Sequence, residues 1–151
     1  MKLSAAYLAG LFDGEGSVQI TNRLAIRIRI SNTYEPIIRR LRKQFGAYVN
    51  VVDPGRRKKP HWKVGYVWQA SGHVARNFLK LIGPYAVIKA KQIAIALQVV
   101  PHIRGVKIQG KEAAQRKVLR HKLQLLNKRG SRWCDVKKWN KVKGNHSIET
   151  K

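Results

Sequence analysis

The sequence predicts an α+β fold, in which helices cover one face of two antiparallel hairpins. Apolar residues recur at helical spacing in residues 3–13 and 35–45, and they alternate with polar residues in 17–30 and 48–70. Turn-forming residues separate these segments, for example Gly46 and the pair Gly83-Pro84. The predicted order is helix, hairpin, helix, hairpin and then further helices.

The chain is predicted to form a single domain. Its 151 residues, of which 44% are hydrophobic, are enough to fill one core. It contains no tandem repeat and no segment typical of a linker between two cores. Residues 1–128 are therefore predicted as the domain, and residues 129–151 as a polar, basic C-terminal tail.

The first predicted helix covers residues 3–13, with Ser4 near its start as a favourable N-cap residue. Its apolar positions are spaced to face a core: Leu3, Tyr7, Leu8, Leu11 and Phe12. The opposite stripe has almost no side chains and consists of Ala6, Ala9, Gly10 and Asp13. Such a stripe lets another backbone come close. That backbone belongs either to a second copy of the chain or to the chain's own sheet.

The first predicted hairpin spans residues 17–30 and turns near Asn22-Arg23. One of its faces is aliphatic and is expected to pack on helices. The other face presents Gln19, Thr21, Arg27 and Arg29. Side chains of these types donate hydrogen bonds to base edges and phosphates. The same pattern also fits an ordinary solvated face.

The later elements follow the same two periods. Residues 35–45 are predicted as an amphipathic helix that ends at Gly46. A second hairpin has arms at residues 48–52 and 61–70, joined by a basic loop that is either a solvated tip or a grip on phosphates. The basic residues of this loop are Arg56, Arg57, Lys58 and Lys59. Helices are predicted for residues 72–81, 85–99 and 111–128.

The charge balance points to a polyanionic partner. The chain has 32 Lys and Arg against 7 Asp and Glu, a net charge of +25. A membrane is not expected, since no apolar run approaches the roughly 20 residues that span a bilayer and no signal peptide opens the chain. The single cysteine, Cys134, excludes an internal disulfide framework and favours a reducing, intracellular location. Organelle, bacterial and phage settings are equally compatible with it.

Two of the few acidic residues, Asp13 and Glu15, stand close together where the first helix is expected to end. Glycines on both sides of Glu15 allow the backbone to turn sharply there. Carboxylates at such a point offer oxygen ligands to a hard cation such as Mg²⁺. One chain supplies few acids, so a complete metal site would need a second subunit. The histidines are scattered without the spacing of metal ligands.

Residues 7–17, Tyr-Leu-Ala-Gly-Leu-Phe-Asp-Gly-Glu-Gly-Ser, resemble the motif of the LAGLIDADG homing endonucleases. Residues 84–92 are similar to that family's later segment with an active-site lysine. A single copy of the motif in a short chain is similar to the homodimeric branch. The resemblance implies an αββαββα core with a four-stranded antiparallel DNA-binding sheet and C-terminal helices. It covers about residues 3–100.

The resemblance also implies roles for individual residues. Glu15 would bind the catalytic Mg²⁺ or Mn²⁺ beside the carbonyl of Gly14, and Asp13 would cap or order the helix ends. Lys89 would lie at the edge of the site, and Asn32 would order solvent. The motif helices would form the dimer interface. The family motif more often ends in Asp, and the basic residue expected shortly after Asn32 is absent, which leaves Arg39 and Arg40 as unplaced candidates.

The implied function is site-specific, staggered cleavage of a long, nearly palindromic duplex by a homodimer. The expected DNA contacts, besides the basic loop, are Gln19, Thr21, Arg23, Arg27, Arg29, Asn50, Lys63, Val67 and Gln69. Three alternatives remain: a maturase of the same fold that binds intron RNA, a DNA-binding regulator that does not cleave, and a structural ribosomal or nucleoid protein.

Overall fold

The computed structural model describes residues 2–53, 63–101 and 108–128. The elements in these ranges are α1 (Ala5–Glu15), β1 (Gly16–Ile20), β2 (Ile26–Asn32), α2 (Glu35–Phe45), β3 (Tyr48–Val52), β4 (Gly65–Ser71), α3 (Gly72–Ile82), α4 (Ala90–Leu97) and α5 (Gly110–Asn127). The predicted α+β class and the order of elements are confirmed. Helices in the described ranges are all too short or too polar to cross a membrane. Residues 56–59 and the tail after residue 128 lie outside these ranges.

The four strands form one antiparallel sheet in the order β1-β2-β4-β3. The predicted alternation places apolar residues of both hairpins on the inner face, where Val18, Ile28 and Trp68 are almost fully buried. The helices pack on this inner face. The outer face of the sheet is therefore left for polar side chains.

An aromatic cluster joins the helices to the sheet. The rings of Phe12, Phe45, Trp68 and Phe78 lie with centroids between 5.1 and 6.1 Å apart in tilted or edge-on pairs. The indole Nε1 of Trp68 donates to the backbone oxygen of Gly46 at 2.8 Å, so its polar atom is satisfied. This cluster fixes α1 and α3 against the middle of the sheet.

Several helix boundaries differ from the prediction, and two of the differences bear on the candidate site. Helix α1 continues two residues further and ends at Glu15, and Gly16 already has extended backbone angles as the first residue of β1. Gly16 is needed for space, because a Cβ there would lie 2.3 Å from the ring of Phe12. Helix α4 begins at Ala90, whereas the sequence predicted a helix from residue 85.

Helix α5 runs beside the edge strand β1 and is fixed there by polar side chains. The guanidinium of Arg116 is only 4% exposed and donates to the backbone oxygens of Leu24 at 2.9 Å and Val100 at 2.7 Å, as well as to the carboxylate of Glu112. At the far end of the helix, Asn127 donates to the backbone oxygen of Val18 at 2.9 Å. Helix α5 thus covers an edge that would otherwise expose unpaired backbone groups.

We expect Arg116→Leu to destabilise the domain by about 3 kcal/mol, because it leaves two backbone carbonyls and a carboxylate without their donor. Urea denaturation followed by circular dichroism measures this effect. Lys117→Leu is the matched control, since Lys117 is exposed on the same helix. Equal stability of the two variants would contradict a structural role for Arg116.

Candidate metal centre and nucleic-acid interface

The C-terminal end of α1 presents oxygen atoms to solvent. Glu15, the last residue of the helix, is exposed, and so is Gly14. The last carbonyls of a helix have no partner within it. The described residues form no group of three or more His, Cys, Asp and Glu. One chain therefore offers a carboxylate and a backbone carbonyl, which are the hard oxygen donors that Mg²⁺ and Mn²⁺ prefer.

Glu15 differs from the other acids in the described ranges. Glu35 pairs with Arg39, and Glu112 pairs with Arg116. Asp13 accepts several hydrogen bonds, and Asp53 also has a partner. Within the described part of the chain, Glu15 has neither an ion pair nor a side-chain hydrogen bond. In a protein of net charge +25, its carboxylate is thus left available to an external cation.

The carboxylate of Asp13 holds the segment that precedes α4. Its two oxygens accept hydrogen bonds from the backbone N–H groups of Val87 at 2.7 Å, Ile88 at 3.1 Å and Lys89 at 2.9 Å. Ala86 has extended backbone angles, so the helix predicted from residue 85 is interrupted there, and α4 begins only at Ala90. Asp13 of α1 therefore orders the approach to α4. Its role in capping or ordering the ends of the motif helices stays a prediction.

The environment of Asp13 also changes its acidity. Partial desolvation tends to raise the pKa of this carboxyl, but the hydrogen bonds from the three backbone N–H groups and the charge of Lys89 outweigh it, so the pKa lies below its ordinary value of 3.8. A lowered pKa means that the ionised form stabilises the fold. This contribution is present above the unfolded-state pKa and disappears as the pH falls through the folded-state pKa.

Lys89 and Asn32 both lie near the end of α1. The ammonium of Lys89 donates to the backbone oxygen of Asp13, one residue before Gly14. Gly16 pairs with Ile30 in the sheet, so Asn32, two residues further along β2, lies at the end of the sheet where α1 meets β1. The Oδ1 atom of Asn32 accepts from the backbone N–H of Tyr34 at 2.8 Å, which fixes the side chain.

The outer side of α1 is poor in side chains, as predicted, with one correction. Ala6, Gly10 and Gly14 are exposed, whereas Ala9 is completely buried in the core of its own chain. The prediction that Ala9 belongs to the outer stripe is therefore wrong. One turn of helix separates Ala6, Gly10 and Gly14 from one another, so they share a face from which Ala9 is rotated towards the sheet.

The outer face of the sheet carries most of the predicted DNA-contacting residues in registered rows. Ser17, Arg29, Gln69 and Tyr48 are paired across all four strands, and the Nε atom of Arg29 donates to Gln69 at 2.8 Å. The neighbouring rows are Gln19-Arg27-Ser71 and Ser31-Val67-Asn50. Thr21 and Arg23 belong to the turn of the first hairpin, and Lys63 is exposed just before β4. Residues Arg56, Arg57, Lys58 and Lys59 lie outside the described residues.

Neither candidate for the missing basic residue is free at the end of α1. Arg39 is bound to the carboxylate of Glu35 on its own helix, with its Nε atom 2.7 Å from a carboxylate oxygen. Arg40 lines a separate groove with Lys2, Lys43 and Gln44. Among the described residues, Lys89 is a cation that the structure does bring to the end of α1.

Comparison with known proteins identifies the family. The model of the LAGLIDADG-like domain matches residues 2–83, more than half of the chain. The chain belongs to the LAGLIDADG family. No curated protein matches it.

Solved structures share the fold at low sequence identity. The homing endonuclease I-CvuI, in complex with its target in the presence of calcium, has a TM-score of 0.64 and 20% identity, covering 84% of this chain and 83% of that one. I-CvuI in complex with the I-CreI target in the presence of magnesium, with the DNA not cleaved, has a TM-score of 0.61 and 18% identity, again covering 84% of this chain and 83% of that one. The archaeal intron-encoded homing endonuclease I-Vdi141I, in complex with DNA, has a TM-score of 0.61 and 15% identity, covering 83% of this chain and 85% of that one.

The LAGLIDADG domain contains surface residues that sequence reasoning missed. Tyr48 is 75% exposed on the outer face of the sheet, in the same row as Arg29 and Gln69. Its alternation with Asn50 along the strand was the signal that could have predicted it. Ser17, Ser31 and Ser71 also lie on this face, and their short side chains gave no signal.

We expect Asp13→Asn to destabilise the LAGLIDADG domain by about 1 kcal/mol at neutral pH, since an amide offers one acceptor oxygen and no charge. The difference from the wild type should begin to shrink at about pH 4, where Asp13 becomes protonated in the unfolded chain, and should continue to shrink as the pH falls through its lower pKa in the folded chain. Urea denaturation at a series of pH values measures it. A difference that stays constant down to the lowest pH would mean that the charge of Asp13 is not involved.

Proposed function

We propose that this chain is a homing endonuclease that acts as a homodimer and cleaves a nearly palindromic DNA duplex with the help of divalent metal ions. The single observation that carries the proposal is the unpartnered carboxylate of Glu15, within the described residues, at the exposed end of a helix whose outer face is almost free of side chains. The relatives of known structure that bind DNA lend support, because they share this fold.

The glycines of α1 support a dimer formed through this helix. In a helix interior, glycine costs about 1 kcal/mol relative to alanine. A Cβ at Gly10 or Gly14 would meet no atom within 4 Å, other than its own neighbours and helix backbone, in the described part of the chain. The fold of one chain therefore does not need these glycines. Close packing against a second α1 about a twofold axis gives them a purpose.

Apolar side chains flank the same surface. Val87 is 82% exposed and Ile88 is 72% exposed, and their backbone N–H groups are held by Asp13 of α1. Tyr7 of α1 and Tyr85, just before this segment, are also about half exposed. Large apolar side chains that are exposed to solvent beside a helix face of small residues are typical of a surface that another copy covers. Their burial would supply the hydrophobic contribution that a stripe of small residues lacks.

In such a dimer, both copies of Glu15 would come together at the paired helix ends. The Glu15 carboxylates and the Gly14 carbonyls would hold the metal ions, which when bound activate water and stabilise the leaving oxygen of a phosphodiester. Lys89, fixed on the carbonyl of Asp13, places a positive charge beside this point, where it can stabilise negative charge on the reacting phosphate. Asn32, fixed by Tyr34, offers an amide to nearby solvent.

The outer face of the sheet would read the DNA. Its rows combine Arg29, Gln69 and Asn50, the side-chain types that recognise guanine and adenine edges in the major groove. Two such sheets related by a twofold axis would read two similar half-sites, hence a nearly palindromic target. The net charge of +25 supplies the attraction for phosphates on any sequence.

We expect Glu15→Gln to abolish cleavage while the fold and DNA binding remain. The amide keeps the size of the side chain but removes the charge that holds the cation. The assay incubates purified protein with Mg²⁺ and the DNA locus around its coding sequence, with and without the insertion that carries it. Cleavage of the uninterrupted locus at a single site by the wild type is the expected result.

Glu35→Gln is the matched control, since it removes an acid whose carboxylate is already paired with Arg39 of its own helix. It should cleave like the wild type. Full cleavage by Glu15→Gln would refute the assigned metal site. Binding to intron RNA without cleavage of DNA and without a need for metal would favour the maturase instead.

We expect Gly10→Leu to convert the dimer to a monomer and to abolish cleavage with it, because a branched side chain would hold the two α1 helices apart. The monomer should remain folded, since the space around Gly10 is open within the described part of its own chain. Analytical ultracentrifugation measures the mass. Ala114→Leu, which enlarges an exposed side chain of α5, should leave the dimer intact. A dimeric Gly10→Leu would show that the subunits meet elsewhere.

A further inference from the structure

We propose that a groove between α5 and the hairpin of β1 and β2 binds backbone phosphates of the duplex, so that α5 forms part of the DNA-binding surface. The inference rests on the proposed function and extends it, because the outer face of the sheet alone does not include α5. The occupant is the phosphodiester backbone, which is common to every sequence.

The groove is large, and the charged side chains among the described residues that line it are all basic. It encloses about 1060 Å³, and it is lined from the hairpin by Gln19, Arg23 and Arg27, and from α5 by Arg120, Asn127 and Lys128. None of the described residues that line it is Asp or Glu. Three guanidinium groups and one ammonium therefore share a cleft that no carboxylate of the described residues lines. An anion from outside would relieve their mutual repulsion.

Two guanidinium groups in this groove have donors without acceptors. The Nε atoms of Arg27 and Arg120 are buried, and neither has a hydrogen-bond partner in the described part of the structure. Buried donors normally have a hydrogen-bond partner, because a buried donor without one is energetically costly. A phosphate offers several acceptor oxygens, and arginine binds phosphate with two parallel donors. Unused arginine donors in a carboxylate-free cleft are what a phosphate site requires.

The position of α5 makes the groove continuous with the reading surface. Along one face of α5, Arg116, Arg120 and Asn127 contact the carbonyl of Leu24, the side chain of Asn22 and the carbonyl of Val18 in turn. The helix therefore runs alongside β1, opposite in direction. Gln19 and Arg27 form a cross-strand pair on the outer face of the sheet and also line the groove. A duplex that lies on this face would bring its backbone to the mouth of the groove.

The test measures how DNA affinity depends on salt. A labelled duplex of arbitrary sequence is titrated with full-length protein in EDTA, and the slope of log affinity against log salt is determined between about 50 and 200 mM salt. We expect Arg120→Gln to make this slope shallower by about 0.9 for each phosphate that the variant no longer neutralises, or about twice that in a twofold dimer. Lys122→Gln is the control, because it removes the same charge from an exposed position of α5 outside the groove.

Lys128→Gln provides a second variant that does not disturb the hairpin, because Lys128 is exposed at the end of α5, whereas Arg120 also bonds to Asn22. A smaller slope in both groove variants, with an unchanged slope in Lys122→Gln, supports the groove. Wild-type slopes in Arg120→Gln and Lys128→Gln, or an equal reduction in Lys122→Gln, would overturn it and leave the proposed function intact. A folded wild-type protein that binds no duplex at all would overturn both.

Discussion

The hydrogen bonds between the carboxylate of Asp13 and the backbone of residues 87–89 are the constraint on which the arrangement of the site depends. They join the end of α1 to a segment more than seventy positions later in the chain and satisfy three backbone N–H groups that precede α4. The same bonds bring the ammonium of Lys89 onto the carbonyl of Asp13 and leave Val87 and Ile88 exposed to solvent. One acid thereby places a cation at the candidate metal centre and apolar side chains at the candidate interface.

The two acidic residues of the motif, Asp13 and Glu15, have different roles because they lie at different positions along the helix. Asp13 is short and lies one residue before Gly14, so its carboxylate reaches the neighbouring segment and is occupied by hydrogen bonds. Glu15 ends the helix, and its side chain has no partner among the described residues. The glycines divide in the same way. Gly16 is required by the ring of Phe12, whereas Gly10 has open space around it. The roles of Asp13 and Gly16 lie within one chain, and those of Glu15 and Gly10 point outward.

Local patterns were sufficient for much of this fold, and long-range contacts account for what they missed. Helix α2 has the predicted bounds because its amphipathic period and the following glycine are both local signals. Residues 85–89 have helical spacing too, but Ala86 is extended and the N–H groups of residues 87–89 donate to Asp13, which is far away in the sequence. Helix α4 therefore starts later. Ala9 was misplaced because small residues cover a wide arc of α1, and only packing decides which part is buried. Nothing in the pattern of α5 indicates that Arg120 meets the first hairpin.

A cation site in so basic a protein raises an electrostatic difficulty that the proposed function resolves. A net charge of +25 repels divalent cations at long range, and a single Glu15 in each chain offsets little of it. Two glutamates brought together by a twofold axis would concentrate negative charge at one point, where it acts at short range. A duplex on the outer face of the sheet would neutralise many of the surrounding cations with its phosphates. Metal affinity would then rise when DNA is bound, and by linkage DNA affinity would rise with metal, so that a complete centre forms mainly on the substrate.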